Sequence, residues 1–427
     1  MNFNTYGFLI GVGVILVLIS LDKYTIKKKQ PLLISDYLLL TISTLIGARG
    51  LYILHNISEI QSGTVTWWNI TDGGLAIYGA LLGLIFSTFL ISKIRKIPLF
   101  VLTDGIVKNL PLAQSLGRFG NYFNQELYGK PTNLPWGIHI PLEKRLEGYT
   151  QYSTFHPTYI YESVLNILNW LILKKLLKQK KYKDGTITGI YLLNYGVIRI
   201  FMNMVRIDKE YLFGIETSDL ASVLAISLGI LILILISPKR VKKIIAKIFS
   251  DIFNAYLTLI LPVLYATLCS NLNIVPKLVI SGLITLTPIS VYLVLKGMGK
   301  VSNFDITDRK ERPPYCITVT VIIGVLYLAS LELGNTVLST VVLNTLLTST
   351  VFTLITLFWK ISGHMTYLTM AYCAFVYLIP SPFTILLFPI VPFVAWSRVE
   401  LGRHNILQVV LGTVIPALIS VLVFVLS

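Results

Sequence analysis

The sequence predicts an all-α, polytopic membrane protein, and three observations predict it. Apolar side chains make up 54% of the 427 residues and charged ones only 13%, too little polar surface to clothe a soluble chain of this length. Apolar runs recur from end to end, each near the ~20 residues that cross a bilayer as helix, and mean hydropathy is +0.74. Basic residues gather in short clusters at 23–29, 93–96, 174–183, 239–247 and 296–312, after every second run, as a cytoplasmic excess of Lys and Arg requires.

The elements follow in order. Spans are expected at 7–22, 34–54, 74–92, 98–116, 158–177, 187–205 and 217–237, with the N-terminus outside. The first run has no basic residues before it and no small-residue cleavage site, so it reads as a retained span. Between spans four and five lies a polar stretch, 117–157, rich in Gly, Pro, Asn and Trp. On this topology it faces outward, a natural place for chemistry. The basic stretch 237–251 marks the domain boundary. A domain over 1–240, a basic cytoplasmic linker over 241–250 and a domain over 251–427 are expected. Further spans fall at 252–270, 276–296, 316–333, 336–358, 365–379, 383–396 and 406–426.

The formal charge of +16 is thereby explained by topology and anionic membrane lipids, and no nucleic acid is expected. Cys269, Cys316 and Cys373 form neither a disulfide framework nor a metal-site spacing. No metal and no cofactor are expected.

Ionisable groups at membrane depth mark function by default. YLLNYGVIRIFMNMVRID places Tyr195, Arg199 and Arg206 at i, i+4 and i+11, one stripe of a helix. Guanidiniums on one face suit a phosphate. GRFGNYFNQELYGKP (117–131) sets Arg118, Asn121, Asn124 and Glu126 among glycines that let backbone approach a ligand. GGLAIYGALLG (73–83) is glycine-dense, as closely packed helices require. HPTYIYE (156–162) puts His156 before a helix carrying Tyr161 and Glu162.

These segments, in this order, resemble the prolipoprotein diacylglyceryl transferase family over residues 5–237. Tyr6-Gly7 and the GAR ending in Arg49 also match. The resemblance implies a seven-span enzyme of the bacterial cytoplasmic (inner) membrane. It would take phosphatidylglycerol and the signal peptides of prelipoproteins, join diacylglyceryl to the lipobox cysteine as a thioether, and release glycerol 1-phosphate. By that resemblance Arg118, Arg199, Tyr78, Glu126 and Tyr195 would be catalytic. Tyr6, Arg49, Asn121, Asn124, Gly129, His156, Tyr161, Glu162 and Arg206 would bind substrate. Two positions depart from the family: Tyr78 stands where a histidine is usual, and Asn203 where an acid is common. Either Tyr78 only positions substrate, or Glu126 or His156 accepts the thiol proton, or the arginine field alone lowers the thiol pKa.

The second half carries three polar islands, FDITDRKERPP (304–314), WKISGHMT (359–366) and SRVELGRHNILQ (397–408), all expected on the cytoplasmic side. Arginines with two histidines fit phosphoryl transfer through a histidine nucleophile. The spacing resembles the type 2 phosphatidic acid phosphatase superfamily over 251–427 and implies a phosphatase-like bundle of six to seven spans. His404 would be its nucleophile, His364 its acid, and Arg312, Ser362 and Arg398 its phosphate ligands. Asp305 stands where that family has a lysine, and Gln408 where it has an aspartate. Two other readings are a lipid phosphate phosphatase carried on a degenerate N-terminal scaffold, and a transporter.

Overall fold

The computed structural model describes residues 5–62, 76–178, 182–212, 214–303, 306 and 308–426. It divides into two compact units, Met1–Ile236 and Ser237–Ser427. Both are helical, and nine helical segments among the described residues are long and apolar enough to cross a membrane.

The first unit contains α1 (Thr5–Lys27), α2 (Ile34–His55), α3 (Ile57–Gln61), α4 (Ile77–Arg95), α5 (Leu99–Val107), α6 (Leu110–Asn124), α7 (Thr158–Lys178), α8 (Thr186–Asn203) and α9 (Thr217–Ile236). The span expected at 98–116 is broken into α5 and α6. Pro111 is the cause: it has no N–H to give Val107 and its ring crowds that carbonyl. Asn109, at the break, donates from Nδ2 to the Leu16 carbonyl at 3.3 Å and accepts from Trp170 Nε1 at 3.1 Å. The span expected at 74–92 runs as Ile77–Arg95. Gly73, Gly74 and Leu75 of its glycine-dense motif lie outside the described residues.

The glycines that are described act by packing. A β-carbon on Gly79 would stand 2.1 Å from the Gly47 carbonyl oxygen, and one on Gly47 would stand 2.3 Å from that of Gly79. Only hydrogen at both positions lets α2 and α4 meet backbone to backbone. α7 buries a polar face instead, with Glu162, Ser163, Asn166 and Asn169 all inside. Fully buried Asp104 of α5 accepts from the backbone N–H groups of Gly185 and Thr188, both at 2.8 Å, and from Thr188 Oγ1 at 2.6 Å. It thereby caps the N-terminus of α8 from another helix.

The polar stretch is a folded loop around Tyr128, Ile140, Phe155 and Tyr159. Its strands β1 (Ile138–His139) and β2 (Thr154–Phe155) pair antiparallel. A second ribbon, β3 (Tyr211–Leu212) with β4 (Ile215–Glu216), joins α8 to α9.

The second unit begins with α10 (Lys239–Ile252), so the segment expected as a linker is a basic amphipathic helix. It buries Ala246 and Ser250, and Phe249 stacks on Phe393 at 5.5 Å between ring centroids. There follow α11 (Ala255–Cys269), α12 (Ile274–Gly297), α13 (Arg312–Glu332), α14 (Thr336–Phe358), α15 (Gly363–Leu378), α16 (Pro382–Leu386), α17 (Ile390–Glu400) and α18 (Ile406–Leu426). The span expected at 383–396 is therefore two pieces. Val263, Ile323, Leu338, Val341, Ile361 and Met370 form the centre of the core.

Replacing Asp104 with Ala strands two buried N–H groups, each worth about 1–3 kcal/mol when unsatisfied, while the Thr188 hydroxyl keeps its bond to Thr103. The expected result is a lowered melting temperature of the detergent-purified protein, with Asp104→Asn less severe than Asp104→Ala.

Candidate functional site

Three helices and one loop bring the arginines together. Arg118 comes from α6, Arg199 from α8 and Arg206 from the turn that follows it, and all three meet Glu162, the fifth residue of α7. Arg118 Nε lies 2.9 Å from Glu162 Oε1, and Arg199 Nη1 lies 3.2 and 3.3 Å from its two oxygens. Arg206 Nη1 stands 3.9 Å from Oε2. Glu162 is only 4% exposed, so these pairs are weakly screened.

Further partners fix the guanidiniums. Arg199 Nη2 donates to Ser218 Oγ at 2.6 Å, and Arg206 pairs with Asp208 through Nε at 3.0 Å. Counted by direct ion pairs alone, three cations share two carboxylates, Glu162 and Asp208, with one positive charge in surplus. At ~4 Å each such pair is worth about 4 kcal/mol at an effective dielectric of 20. The arrangement can therefore receive an anion without losing its own cohesion.

The backbone at Gly129 holds the loop against this cluster. Gly129 donates to the His156 carbonyl at 2.9 Å, and Lys130 to that of Val205 at 2.8 Å. A β-carbon on Gly129 would fall 2.9 Å from the Val205 carbonyl oxygen and 2.6 Å from Thr158 Cγ2, so no larger residue fits.

A second group surrounds Glu126, whose Oε1 accepts from Asn121 Nδ2 at 2.8 Å and Asn124 Nδ2 at 3.0 Å. Tyr6 lies within electrostatic reach of Glu126 and Arg118 and beside Asn121. Tyr195 stands likewise near Arg199, Glu162, Arg118 and Tyr78. Tyr78 is partly exposed at the start of α4, and buried Arg49 lies over the Tyr52 ring at 5.0 Å. His156 Nδ1 lies 3.2 Å from Tyr161 Oη, which accepts from Trp136 Nε1 at 2.7 Å. The phenolic proton is thus free to point at His156 Nδ1.

Four contacts were not foreseen from the sequence: Ser218, Asp208, Trp136 and Asp219. The last accepts from Asn203 Nδ2 at 2.6 Å. An acid thus stands beside the stripe after all, supplied by the first turn of α9. Its signal was the acid-bearing segment IETSDL opening a span.

In the second unit Arg312, His364, Arg398 and His404 line one cavity of about 70 Å3. Arg312 donates to the carbonyls of Ile306 and Ile361, both at 2.9 Å. Arg398 donates to Ser250 Oγ at 2.6 Å and lies 3.4 Å from His364 Nε2. Ser362 is fully buried and donates its N–H to the Gln408 carbonyl at 3.3 Å. His404 Nδ1 stands 3.1 Å from Gln408 Oε1, which also accepts the Asn405 N–H at 3.2 Å. That second bond fixes the amide, so the imidazole proton sits on Nδ1 and the Nε2 lone pair is left available. Burial first, then Arg398 and Arg312, hold the His404 pKa down at about 3. Asp305 lies outside the described residues.

The chain resembles known proteins over its first unit. A family model described as prolipoprotein diacylglyceryl transferase matches residues 1–235. The chain is 34% identical over 233 residues to the phosphatidylglycerol–prolipoprotein diacylglyceryl transferase of Trichormus variabilis, covering 53% of this chain and 82% of that protein. It is 36% identical over 239 residues to that of Synechococcus elongatus, covering 54% and 82%. For Finegoldia magna the figures are 32% over 241 residues, 56% and 92%.

Removing the shared carboxylate is expected to cost more stability than removing one arginine. Glu162→Ala leaves three guanidiniums facing each other, a loss of about 3–5 kcal/mol. Arg118→Ala removes a partner whose side chain is 27% exposed. Thermal unfolding of the two variants in one detergent ranks them.

Proposed function

The chain belongs to the prolipoprotein diacylglyceryl transferase family, and on that premise we propose how its first unit divides the work of transfer. The protein is a membrane-embedded transferase that moves diacylglyceryl from phosphatidylglycerol to the lipobox cysteine of a prelipoprotein. The observation that carries the assignment of roles is the trio of arginines gathered on Glu162 with one positive charge in surplus.

In the reaction the cysteine sulfur bonds to the diacylglyceryl carbon while that carbon's bond to the phosphate oxygen breaks. The electron pair leaves with the phosphate. The thiol proton appears, in the balance, on the glycerol 1-phosphate released. Charge therefore builds on phosphate oxygens as the bond breaks, and groups fixed beforehand to receive it lower the barrier most. Arg118 is the most accessible of the three arginines and is assigned to the leaving phosphate together with Arg199. Arg206, held by Asp208, completes the field. Asn121, Asn124, Glu126 and Tyr6 are assigned to the glycerol headgroup, whose hydroxyls need both donors and acceptors.

The arginine field also favours a thiolate over a thiol. Tyr78 then needs only to position substrate. His156 is assigned to positioning through Tyr161, since a neutral ring that accepts the phenol's hydrogen bond at Nδ1 carries its own proton on Nε2. The protein sits in the bacterial cytoplasmic membrane with its N-terminus outside, as the basic clusters indicate.

A second reading applies to residues 251–427 and is favoured by the convergence of Arg312, His364, Arg398 and His404 on one cavity. These groups suit a phosphate monoester, with neutral His404 Nε2 as nucleophile and His364 as proton donor to the leaving alcohol. The amide of Gln408 orients the imidazole but brings no charge to balance a phosphorylated ring. Turnover is accordingly slow.

Two experiments test these assignments. A lipobox peptide should gain the mass of diacylglyceryl only when phosphatidylglycerol is supplied. Arg118→Ala should lower that rate about 100-fold or more; full transfer by this variant would refute its role. Separately, the full chain should release phosphate from a lipid phosphate, and His404→Ala should abolish release while transfer continues. Because its pKa is held near 3, His404 stays neutral from pH 8 to 5, so no loss of phosphate release from its protonation is expected over that range.

A further inference from the structure

The first unit holds another cavity, of about 300 Å3, lined by three lysines from three separate places. Lys23 comes from α1, Lys108 from the break between α5 and α6, and Lys174 from α7. On α7, Lys174 lies twelve residues beyond Glu162, about 18 Å along the helix. This cavity is therefore distinct from the arginine cluster.

The wall is built rather than incidental. Asn109 is tied to Leu16 and Trp170 by the two bonds that span the helix break. Lys174 Nζ lies 4.6 Å from the Trp170 ring centroid, so its ammonium is held over an aromatic face. Ser20 donates to the Gly105 carbonyl at 3.1 Å, which fixes α1 against α5.

What these cations lack is an acid. Among the described residues, neighbouring basic groups find one: Lys28 pairs with Asp184 and Arg95 with Asp36. No ion pair within 4.0 Å involves Lys23, Lys108 or Lys174. Three ammonium groups around one space repel one another unless an anion joins them. Compact, freely rotating ammonium heads suit phosphate as point charges. The space is about ten times a water molecule's share of liquid volume, enough for a phosphate and a small attached alcohol.

We propose that this cavity binds a phosphate-bearing anion, at a site separate from the one where diacylglyceryl is transferred. The shared chemistry is a phosphate group within reach of three lysines, whether it is carried by a lipid headgroup or free in solution.

The test uses the full chain in neutral detergent and counts bound ligand by native mass spectrometry. One arm offers phosphatidic acid, with phosphatidylcholine as the neutral comparison; the other offers inorganic phosphate. The triple variant Lys23→Gln, Lys108→Gln, Lys174→Gln should retain one fewer phosphatidic acid than the unsubstituted chain, with affinity at the lost site down about tenfold or more. The same three positions changed to Arg should keep it. Loss in the lipid arm alone identifies a lipid headgroup, and loss in both arms shows that phosphate itself suffices. Equal retention by the Gln variant and the unsubstituted chain in both arms overturns the proposal. If the triple variant does not fold, Lys108→Gln alone decides: weakened phosphatidic acid binding supports the site, and unchanged binding overturns it.

Discussion

One buried carboxylate holds the transferase unit's chemistry in place. Glu162 is reached by guanidiniums from α6, from α8 and from the turn beyond α8, so a single side chain fixes the relation of three segments that are far apart in sequence. Were it absent, three cations in a poorly screened interior would drive those segments apart. Its position near the start of α7 follows from Pro157, which suits the entry to a helix and sets where the acidic side chain emerges. The other contacts extend this centre: Ser218 and Asp208 trim the freedom of the arginines, and Gly129 brings the loop close enough for Arg118 and Arg206 to share a partner.

The second unit meets a similar demand differently. Its two arginines donate to backbone carbonyls and to a serine hydroxyl. These neutral acceptors orient the guanidiniums without cancelling charge, and the field of both arginines reaches the cavity they line. That field is also why His404 remains uncharged. The transferase unit thus offsets most of its positive charge with carboxylates, whereas the described residues that line the second unit's cavity include no carboxylate.

Much of this was legible in the sequence, and the rest was hidden for identifiable reasons. The all-α membrane class followed from the apolar runs. The stripe of Tyr195, Arg199 and Arg206 followed from helical spacing, because contacts along one helix are written in local order. Glu162 was visible as a polar residue at membrane depth. Its place at the centre of three arginines was not, since those contacts join positions 37 to 44 residues apart in the chain. Asp219 was missed for the same reason: the acid expected beside the arginines was sought on α8, at Asn203, and stands on α9. The break at Lys108–Asn109 was masked by the continuity of the apolar run, although Pro111 carried the signal. The basic stretch after Ser237 read as a linker by charge, yet it forms a helix that buries Ala246 and Ser250 and leaves Val241, Ile244, Ile248 and Ile252 exposed.

The backbone contact between α2 and α4 has a mechanical consequence. Two helices joined at Gly47, Gly79 and Gly83 with no side chains between them have no compressible layer and no room to rotate. They behave as one stiff plate of double width. Arg49 of α2 and Tyr78 of α4 are thereby carried on one pair of helices packed backbone to backbone. Within such a plate, exchanging one hydrogen for a methyl group acts as a wedge whose effect is felt along the whole length of both helices.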